Sequence, residues 1–337
     1  MNKSYMTNFG LEFLTDKFYL TSAHSLNLDL TDEAKSIVKD SHIYCIVDCP
    51  RIMIDPNSLS YEIFNNYLIF SLILVYRING VVTNKKIIMG VPTLIPNTVV
   101  KLEVAEYPHI AIKLLDVDNH LIATTTVYEI AYQFQIEDLV SMKVLYIGKS
   151  IGNDENRNAL DRLKNHSTFQ NILADRNAQH PDRAVFVSMF KFKRVKKYTI
   201  MDGWDISKIG GDEDFDRILK ANKAEIPLEQ QVSIIEMALI RYFKPEYNKK
   251  LKKDLPARKS KILEICNKYD FSGVAVNFCI DNLKYPNLNF YFYTDKRKID
   301  YAHSIRLELI DPEIRKGFFS LGGESWAPQE VIRHNKK

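Results

Sequence analysis

The sequence lacks any hydrophobic stretch long enough to cross a membrane. Its longest apolar run, from Tyr67 to Tyr76, stops at Arg77 and falls short of the roughly 20 residues that a membrane-spanning helix requires. The N-terminus also lacks the basic segment and apolar core of a secretory signal peptide. We therefore expect no membrane partner, and we interpret the apolar run as a buried strand.

Cysteine is scarce, and its spacing fits no metal-binding motif. The four cysteines, at positions 45, 49, 266 and 279, form no CxxC pair. The spacing of Cys45 and Cys49 predicts that both thiols lie on one face of a strand. A structural role is therefore favoured over zinc binding or redox chemistry, and this cysteine usage fits a reducing cytoplasm.

The net charge is small but unevenly distributed. The chain carries a formal charge of +4 at pH 7. Residues 1–127 hold 10 basic against 13 acidic residues, whereas residues 128–262 hold 25 basic against 19 acidic residues. Two basic clusters, Lys191–Lys197 and Lys249–Lys261, lie in the positive segment. Such clusters fit a polyphosphate partner, and each is equally well explained as a solvated lysine-rich surface.

A lone carboxylate, Glu236, interrupts an otherwise apolar stretch. On the helix that we predict from Leu228 to Phe243, its neighbours at i−4, i+3 and i+4 are Val232, Leu239 and Ile240, so it shares a face with residues that would be buried. A buried carboxylate is costly unless a metal ion or a cation compensates its charge. The alternative is a glutamate at the helix edge that reaches Lys244 or Arg241 in water.

Two motifs precede Glu236 in the sequence. Tyr146-Ile147-Gly148 closes a short apolar run and is typical of a buried strand that ends in a turn. Arg162 and His166 follow at positions i and i+4, which places both on one face of a predicted helix. The chain thus offers a strand motif, a basic helical face and an isolated carboxylate in that order.

Two further residues complete the pattern. Pro245 ends the helix that carries Glu236, and Asn248 follows where its side-chain amide can tie a loop to the fold. In order and content, these motifs resemble the GIY-YIG nuclease family. The resemblance covers roughly residues 128–250 and implies a metal-dependent endonuclease.

The family's first motif, Gly-Ile-Tyr, lies on the strand that precedes the Tyr-Ile-Gly strand. The best match here is Ile130-Ala131-Tyr132, in a segment that we predict to be a strand. Its tyrosine lies fourteen residues before Tyr146, so the intervening turn would carry an insertion. Tyr128 and Phe134 compete for the same position.

The resemblance implies a role for each motif residue. Glu236 would bind Mg²⁺, with Mn²⁺ as an alternative, and the metal would stabilise the leaving oxygen. Arg162 and Lys149 would contact the non-bridging phosphate oxygens. The remaining roles are proton transfer by Tyr132 and Tyr146, phosphate contact or proton sharing by His166, and structural support by Asn248.

We predict an α+β fold in which a GIY-YIG-like nuclease domain, a small mixed sheet flanked by helices, is joined to a strand-rich β module. The β-rich N-terminal module spans 1–127 and the nuclease domain spans 128–250. Residues 251–337 form a basic linker and a β-rich C-terminal segment, which we expect to pack on the N-terminal module. Within this scheme, residues 128–150 give two strands and Leu11 to Leu20 fits a short helix.

The resemblance implies an endonuclease that hydrolyses phosphodiester bonds in double-stranded DNA, and we expect a restriction or phage-defence type in the cytoplasm. A structure-specific repair or recombination nuclease is the alternative enzyme. A third interpretation is a nucleic-acid-binding module with a decayed active site. The choice between DNA and RNA, the oligomeric state and the role of the flanking β segments stay open, because a fold constrains chemistry better than biology.

Overall fold

In the computed structural model, the described parts of the chain form seventeen strands, eight α-helices and two short 3-10 helices, His24–Asn27 and Lys261–Leu263. These parts are residues 5–27, 30–64, 67–92, 101–150, 163, 166–201, 203, 208–252, 260–279, 289–310, 317–321 and 331–333.

The strands are β1 (Thr7–Ser22), β2 (Ile43–Pro50), β3 (Met53–Ile54), β4 (Ser60–Phe64), β5 (Tyr67–Ile78), β6 (Val81–Pro92), β7 (Lys101–Val104), β8 (Ala111–Leu115), β9 (Leu121–Thr126), β10 (Ser141–Lys149), β11 (Arg183–Phe192), β12 (Lys196–Met201), β13 (Phe271–Cys279), β14 (Tyr291–Thr294), β15 (Arg297–Asp300), β16 (Ala302–Glu308) and β17 (Val331–Arg333). The helices are α1 (Asp32–Lys39), α2 (Val127–Gln133), α3 (Glu137–Val140), α4 (Ser167–Gln179), α5 (Asp212–Lys223), α6 (Leu228–Phe243), α7 (Glu264–Lys268) and α8 (Phe318–Leu321).

Ten of the strands form one mixed sheet. Its order is β15-β14-β10-β2-β11-β1-β13-β16-β17, and β12 pairs with β1 beside this path. The β1–β13, β10–β14 and β16–β17 pairs are parallel, and the other pairs are antiparallel. The predicted fold class is therefore wrong, because one large sheet of ten strands replaces the small mixed sheet flanked by helices.

Strand β1 joins parts of the chain that are distant in sequence. Its N-terminal half pairs with β12 on one side and β13 on the other, and its C-terminal half pairs with β11. The helix expected for Leu11 to Leu20 is wrong, because the backbone hydrogen bonds of this segment go to neighbouring strands. The three predicted segments, 1–127, 128–250 and 251–337, all contribute strands to the large sheet.

Residues 51–140, which we term the inserted module, lie between two neighbouring strands of the large sheet. Strand β2 ends at Pro50 and β10 begins at Ser141, and these two strands pair in antiparallel fashion. Between them the chain builds one sheet from β3, β4, β5 and β6, another from β7, β8 and β9, and the helices α2 and α3. The module has its own hydrophobic core, which includes Leu72 and Ile130.

The buried strand predicted for Tyr67 to Tyr76 is confirmed. It is β5, and every second side chain from Leu68 to Tyr76 is buried in the core of the inserted module. The chain turns into β6 at Asn79 and Gly80, whose φ angles are 50° and 81°. A two-residue hairpin turn of this kind requires positive φ at both positions, which Asn and Gly tolerate best.

The helix predicted from Leu228 to Phe243 is also confirmed, as α6. Its apolar residues, among them Val232 and Leu239, pack into the main core against β10, β13 and β16. Lys244 follows in the left-handed conformation, with φ and ψ both 51°, and ends the helix before Pro245.

Candidate active site

Strands β2 and β10 bring two tyrosines together. Tyr44 on β2 lies opposite Gly148 on β10 in the antiparallel pair. A methyl group on Gly148 would lie 2.5 Å from the Tyr44 hydroxyl oxygen and 2.9 Å from the ring of Tyr146. Glycine therefore permits an approach of both rings to the strand that any larger residue would block.

His166 joins these tyrosines in what we term the aromatic cluster, Tyr44, Tyr146 and His166. The residue immediately precedes α4, and its ring centroid lies 5.6 Å from that of Tyr146 and 6.5 Å from that of Tyr44. The two tyrosine centroids are 6.2 Å apart. Tyr44 is only 1% exposed, whereas Tyr146 and His166 are partly exposed. A ligand would therefore meet Tyr146 and His166 before Tyr44.

Glu236 is a mostly buried carboxylate on α6. Its side chain is 17% exposed, and Val232 one turn earlier is fully buried. The Nζ atom of Lys149, the last residue of β10, lies 3.6 Å from Glu236 Oε2. Arg241, which the sequence offers as a partner in water, donates to the backbone oxygen of Lys252. The charge of Glu236 is thus compensated by a lysine that the resemblance assigns to phosphate binding.

The ion pair and the aromatic cluster lie on opposite faces of β10. Side chains alternate along a strand. Tyr146 accordingly packs with the core beneath α4, and Ile147 packs with the core that holds α6. Lys149 lies on the Ile147 face. Lys149 directly follows Gly148, so both groups lie near the end of β10 but on different sides of the sheet.

The segment that follows α6 forms hydrogen bonds to the edge of β10, close to the aromatic cluster and the Lys149–Glu236 ion pair. The side chain of Asn248 accepts from Ile147 N at 2.9 Å and donates to Ile147 O at 2.8 Å, as a neighbouring strand would. Tyr247 N donates to Leu145 O at 3.0 Å. The Tyr247 hydroxyl donates to Asp175, and burial raises the pKa of Tyr247 to about 12. Tyr247 therefore stays protonated near neutral pH and is unsuited to act as a base.

Tyr132 lies on a helix, so the strand predicted for this part of 128–150 is wrong. Thr126 and Glu129 form a reciprocal capping box: the Thr126 side chain accepts from Glu129 N, and Glu129 Oε2 accepts from Thr126 N. This arrangement satisfies two otherwise unpaired amides and starts α2. The Tyr132 ring stacks on Phe290 with centroids 4.4 Å apart.

The two competing positions for the first motif lie on the same helix. Tyr128 packs edge-on against Phe186 of β11, with ring centroids 4.7 Å apart, and Phe134 is the C-terminal cap of α2. Burial raises the pKa of Tyr128 well above its ordinary value. The structure thus puts none of the three candidates on the strand next to β10.

Tyr44 is not among the site residues predicted from the sequence. His42-Ile43-Tyr44 matches the last two positions of Gly-Ile-Tyr, and Ile43 and Tyr44 lie on the strand that pairs with Tyr146-Ile147-Gly148. This match is hard to detect in the sequence because the inserted module separates β2 from β10 along the chain. The detectable signal is an Ile-Tyr pair that opens the fully buried strand β2.

Arg162 lies outside the described residues, so its part in the site stays a prediction.

Two lysines of the basic cluster Lys191–Lys197 make contacts within the protein: Lys191 pairs with Asp40 at 2.7 Å, and Lys197 donates to backbone oxygens at the end of α5. In the second cluster, Lys249 and Lys250 are exposed directly after Asn248. These two lysines are the described part of that cluster nearest in sequence to the site.

Among the described residues, three side chains could hold a cation as a preformed group: Asp116, Asp118 and His120. They lie on the turn between β8 and β9. Asp116 Oδ1 accepts from the backbone amides of Asp118 and His120, at 2.9 and 2.8 Å. The geometry is therefore explained by the turn itself.

The chain matches no family model, no curated protein and no solved structure. Within the described parts, no helix combines the length and the apolar character needed to cross a membrane.

Proposed function

We propose that the chain is a metal-dependent endonuclease of the GIY-YIG type, which hydrolyses phosphodiester bonds in double-stranded DNA. The observation that carries this proposal is the placement of Tyr44 and Tyr146 around Gly148 on paired strands. Ile43-Tyr44 and Tyr146-Ile147-Gly148 would then supply the two motifs that name the family. Glu236 and Asn248 follow in the family's order.

The chemistry of these residues suits phosphodiester hydrolysis. The reaction needs a base for water and positive charge for the pentavalent phosphate. Tyr146 offers a phenolic oxygen on a partly exposed side chain, and Lys149 offers an ammonium group. Arg162 would add a forked cation for the non-bridging oxygens. Tyr146 and Lys149 both lie near the end of β10, on opposite faces of the strand.

The surroundings of Glu236 fit a magnesium ion that substrate helps to hold. Mg²⁺ is commonly bound through one or two carboxylates, with waters and substrate phosphates as its other ligands. Glu236 supplies one such carboxylate, whose side chain is partly exposed. When bound there, Mg²⁺ would stabilise negative charge on the leaving oxygen.

We expect the tyrosine of the first motif to be Tyr44 rather than Tyr132. Tyr44→Phe and Tyr146→Phe should each lower the rate of plasmid cleavage by about a hundredfold, the lower range for loss of a proton-transfer group. Tyr132→Phe is the matched control, and its rate should stay close to wild type because its ring stacks on Phe290. A large loss in Tyr132→Phe with full activity in Tyr44→Phe would reverse the assignment.

Lys249 and Lys250 should bind phosphate without reading sequence. The double change of Lys249→Ala and Lys250→Ala should weaken binding equally across DNA sequences. It should also flatten the log–log salt dependence by about 0.9 unit for each lost contact. The charge-matched control is Lys85→Ala with Lys86→Ala, exposed lysines on β6 of the inserted module. An equal change in both double variants would mean that only net charge matters.

The proposed biological role is restriction or phage defence, with the inserted module and the C-terminal strands targeting or regulating cleavage. The test compares linear duplex, branched duplex and RNA, each with and without Mg²⁺. Magnesium-dependent cutting of linear duplex supports the proposal. A strong preference for branched DNA would favour a repair or recombination nuclease. Tight binding without cutting under any condition would identify a binding module.

A further inference from the structure

Lys149 makes two contacts on α6, and the shorter one is to a hydroxyl group. Its Nζ donates to Ser233 Oγ at 2.7 Å and lies 3.6 Å from Glu236 Oε2. Ser233 and Glu236 are three residues apart on the helix, so their side chains lie on the same face. The ammonium group is therefore held beside the carboxylate rather than directly against it.

The orientation of the Ser233 hydroxyl is fixed by a third contact. Its Oγ donates to the backbone oxygen of Glu229 at 2.7 Å. A hydroxyl has a single proton, so its lone pairs are then available to accept from Lys149. Ser233 is also 7% exposed, so little water competes for this position. A lysine side chain is long and flexible, and Ser233 limits where its charge can lie.

We propose that Ser233 is a positioning residue that keeps the Lys149 ammonium off the coordinating oxygens of Glu236, and that Lys149 competes with a divalent cation for this carboxylate. The inference rests on the proposed metal-binding role of Glu236. Without metal, Lys149 compensates the mostly buried charge. With metal bound to Glu236, the Lys149 ammonium keeps its hydrogen bond to Ser233, so Lys149 need not move into solvent.

The proposal predicts opposite effects for two neighbouring substitutions. Lys149→Met removes the competing charge and should tighten Mn²⁺ binding by about tenfold, a typical size for coupling between contacting residues. Ser233→Ala lets the ammonium move onto Glu236 and should weaken Mn²⁺ binding by several-fold. The double variant should bind Mn²⁺ as Lys149→Met does, because Ser233 acts only through the lysine.

The experiment titrates the full-length protein with MnCl₂ in the absence of nucleic acid and follows water-proton relaxation. All variants carry Asp116→Asn and Asp118→Asn, which removes the exposed turn as a second binding site. Thermal unfolding confirms that each variant is folded. If Glu236→Gln leaves Mn²⁺ affinity unchanged, the metal-binding role of Glu236 fails. If Glu236→Gln abolishes binding but Lys149→Met and Ser233→Ala shift affinity in the same direction, or not at all, only the positioning role fails.

Discussion

Substitution of Glu236 by glutamine should abolish magnesium-dependent cleavage while leaving the fold intact. Glutamine keeps the volume and removes the charge that would hold the metal. Loss of metal stabilisation of a leaving oxygen is worth several kcal/mol, so we expect a fall in rate of about a thousandfold. The measurement is plasmid cleavage over a range of Mg²⁺ concentrations, together with the free energy of unfolding.

The stability of this variant should change little. Lys149 keeps its hydrogen bond to Ser233, so its ammonium group is not left without a partner. The matched control is Glu229→Gln, an exposed glutamate in the first turn of the same helix. It should cleave at the wild-type rate. Magnesium-dependent cutting by Glu236→Gln at the rate of Glu229→Gln would rule out Glu236 as the metal ligand.

Local features of the fold were predictable because they depend on local sequence. The apolar periodicity around Glu236 predicts α6 with its correct ends, and Lys244 and Pro245 explain where it stops. The spacing of Cys45 and Cys49 predicts two thiols on one strand face, and both are buried in the main core on β2. Burial raises the pKa of Cys49 to about 12, which fits a structural thiol rather than a reactive one.

The partners of the strands were not predictable in the same way. A strand's own pattern shows which face is buried but not which strand lies beside it. β1 pairs with segments at the opposite end of the chain, and β2 is separated from β10 by the inserted module. A search for the first motif close to Tyr146 therefore leads to Tyr132. The capping box of Thr126 and Glu129 is the local signal that argues for a helix there.

The contact between Lys149 and Glu236 also depends on tertiary structure. The two residues are far apart in the sequence, and a carboxylate on an apolar helix face can be compensated by any nearby cation or metal. Only the packing of α6 against β10 selects Lys149. Sequence alone therefore indicates that Glu236 needs compensation, but it does not identify the compensating group.

The largest loss of stability should come from Asp48, a fully buried carboxylate on β2. Its Oδ1 accepts from Arg183 at 2.6 Å, and its Oδ2 lies 3.4 Å from Nε of Arg176. Arg176 in turn pairs with Glu246, two residues before Asn248. This network therefore joins β2, β11, α4 and the segment that fixes the edge of β10.

Asp48→Asn should lower the free energy of unfolding by about 3–5 kcal/mol, because it removes the counter-charge of the mostly buried Arg183 and leaves the buried Arg176 with Glu246 alone. The control is Asp40→Asn, which breaks an exposed pair with Lys191 and should cost no more than about 1 kcal/mol. Chemical denaturation at neutral pH measures both values.

A double variant distinguishes the loss of stability caused by an uncompensated charge from the loss caused by disturbed packing in the core. Arg183→Met removes the cation that Asp48→Asn leaves without a carboxylate, so adding it to Asp48→Asn should cost clearly less than the sum of the two single changes. A strictly additive result would mean that Asp48 and Arg183 stabilise the protein independently. In that case the loss in Asp48→Asn would reflect packing on β2 rather than the buried ion network.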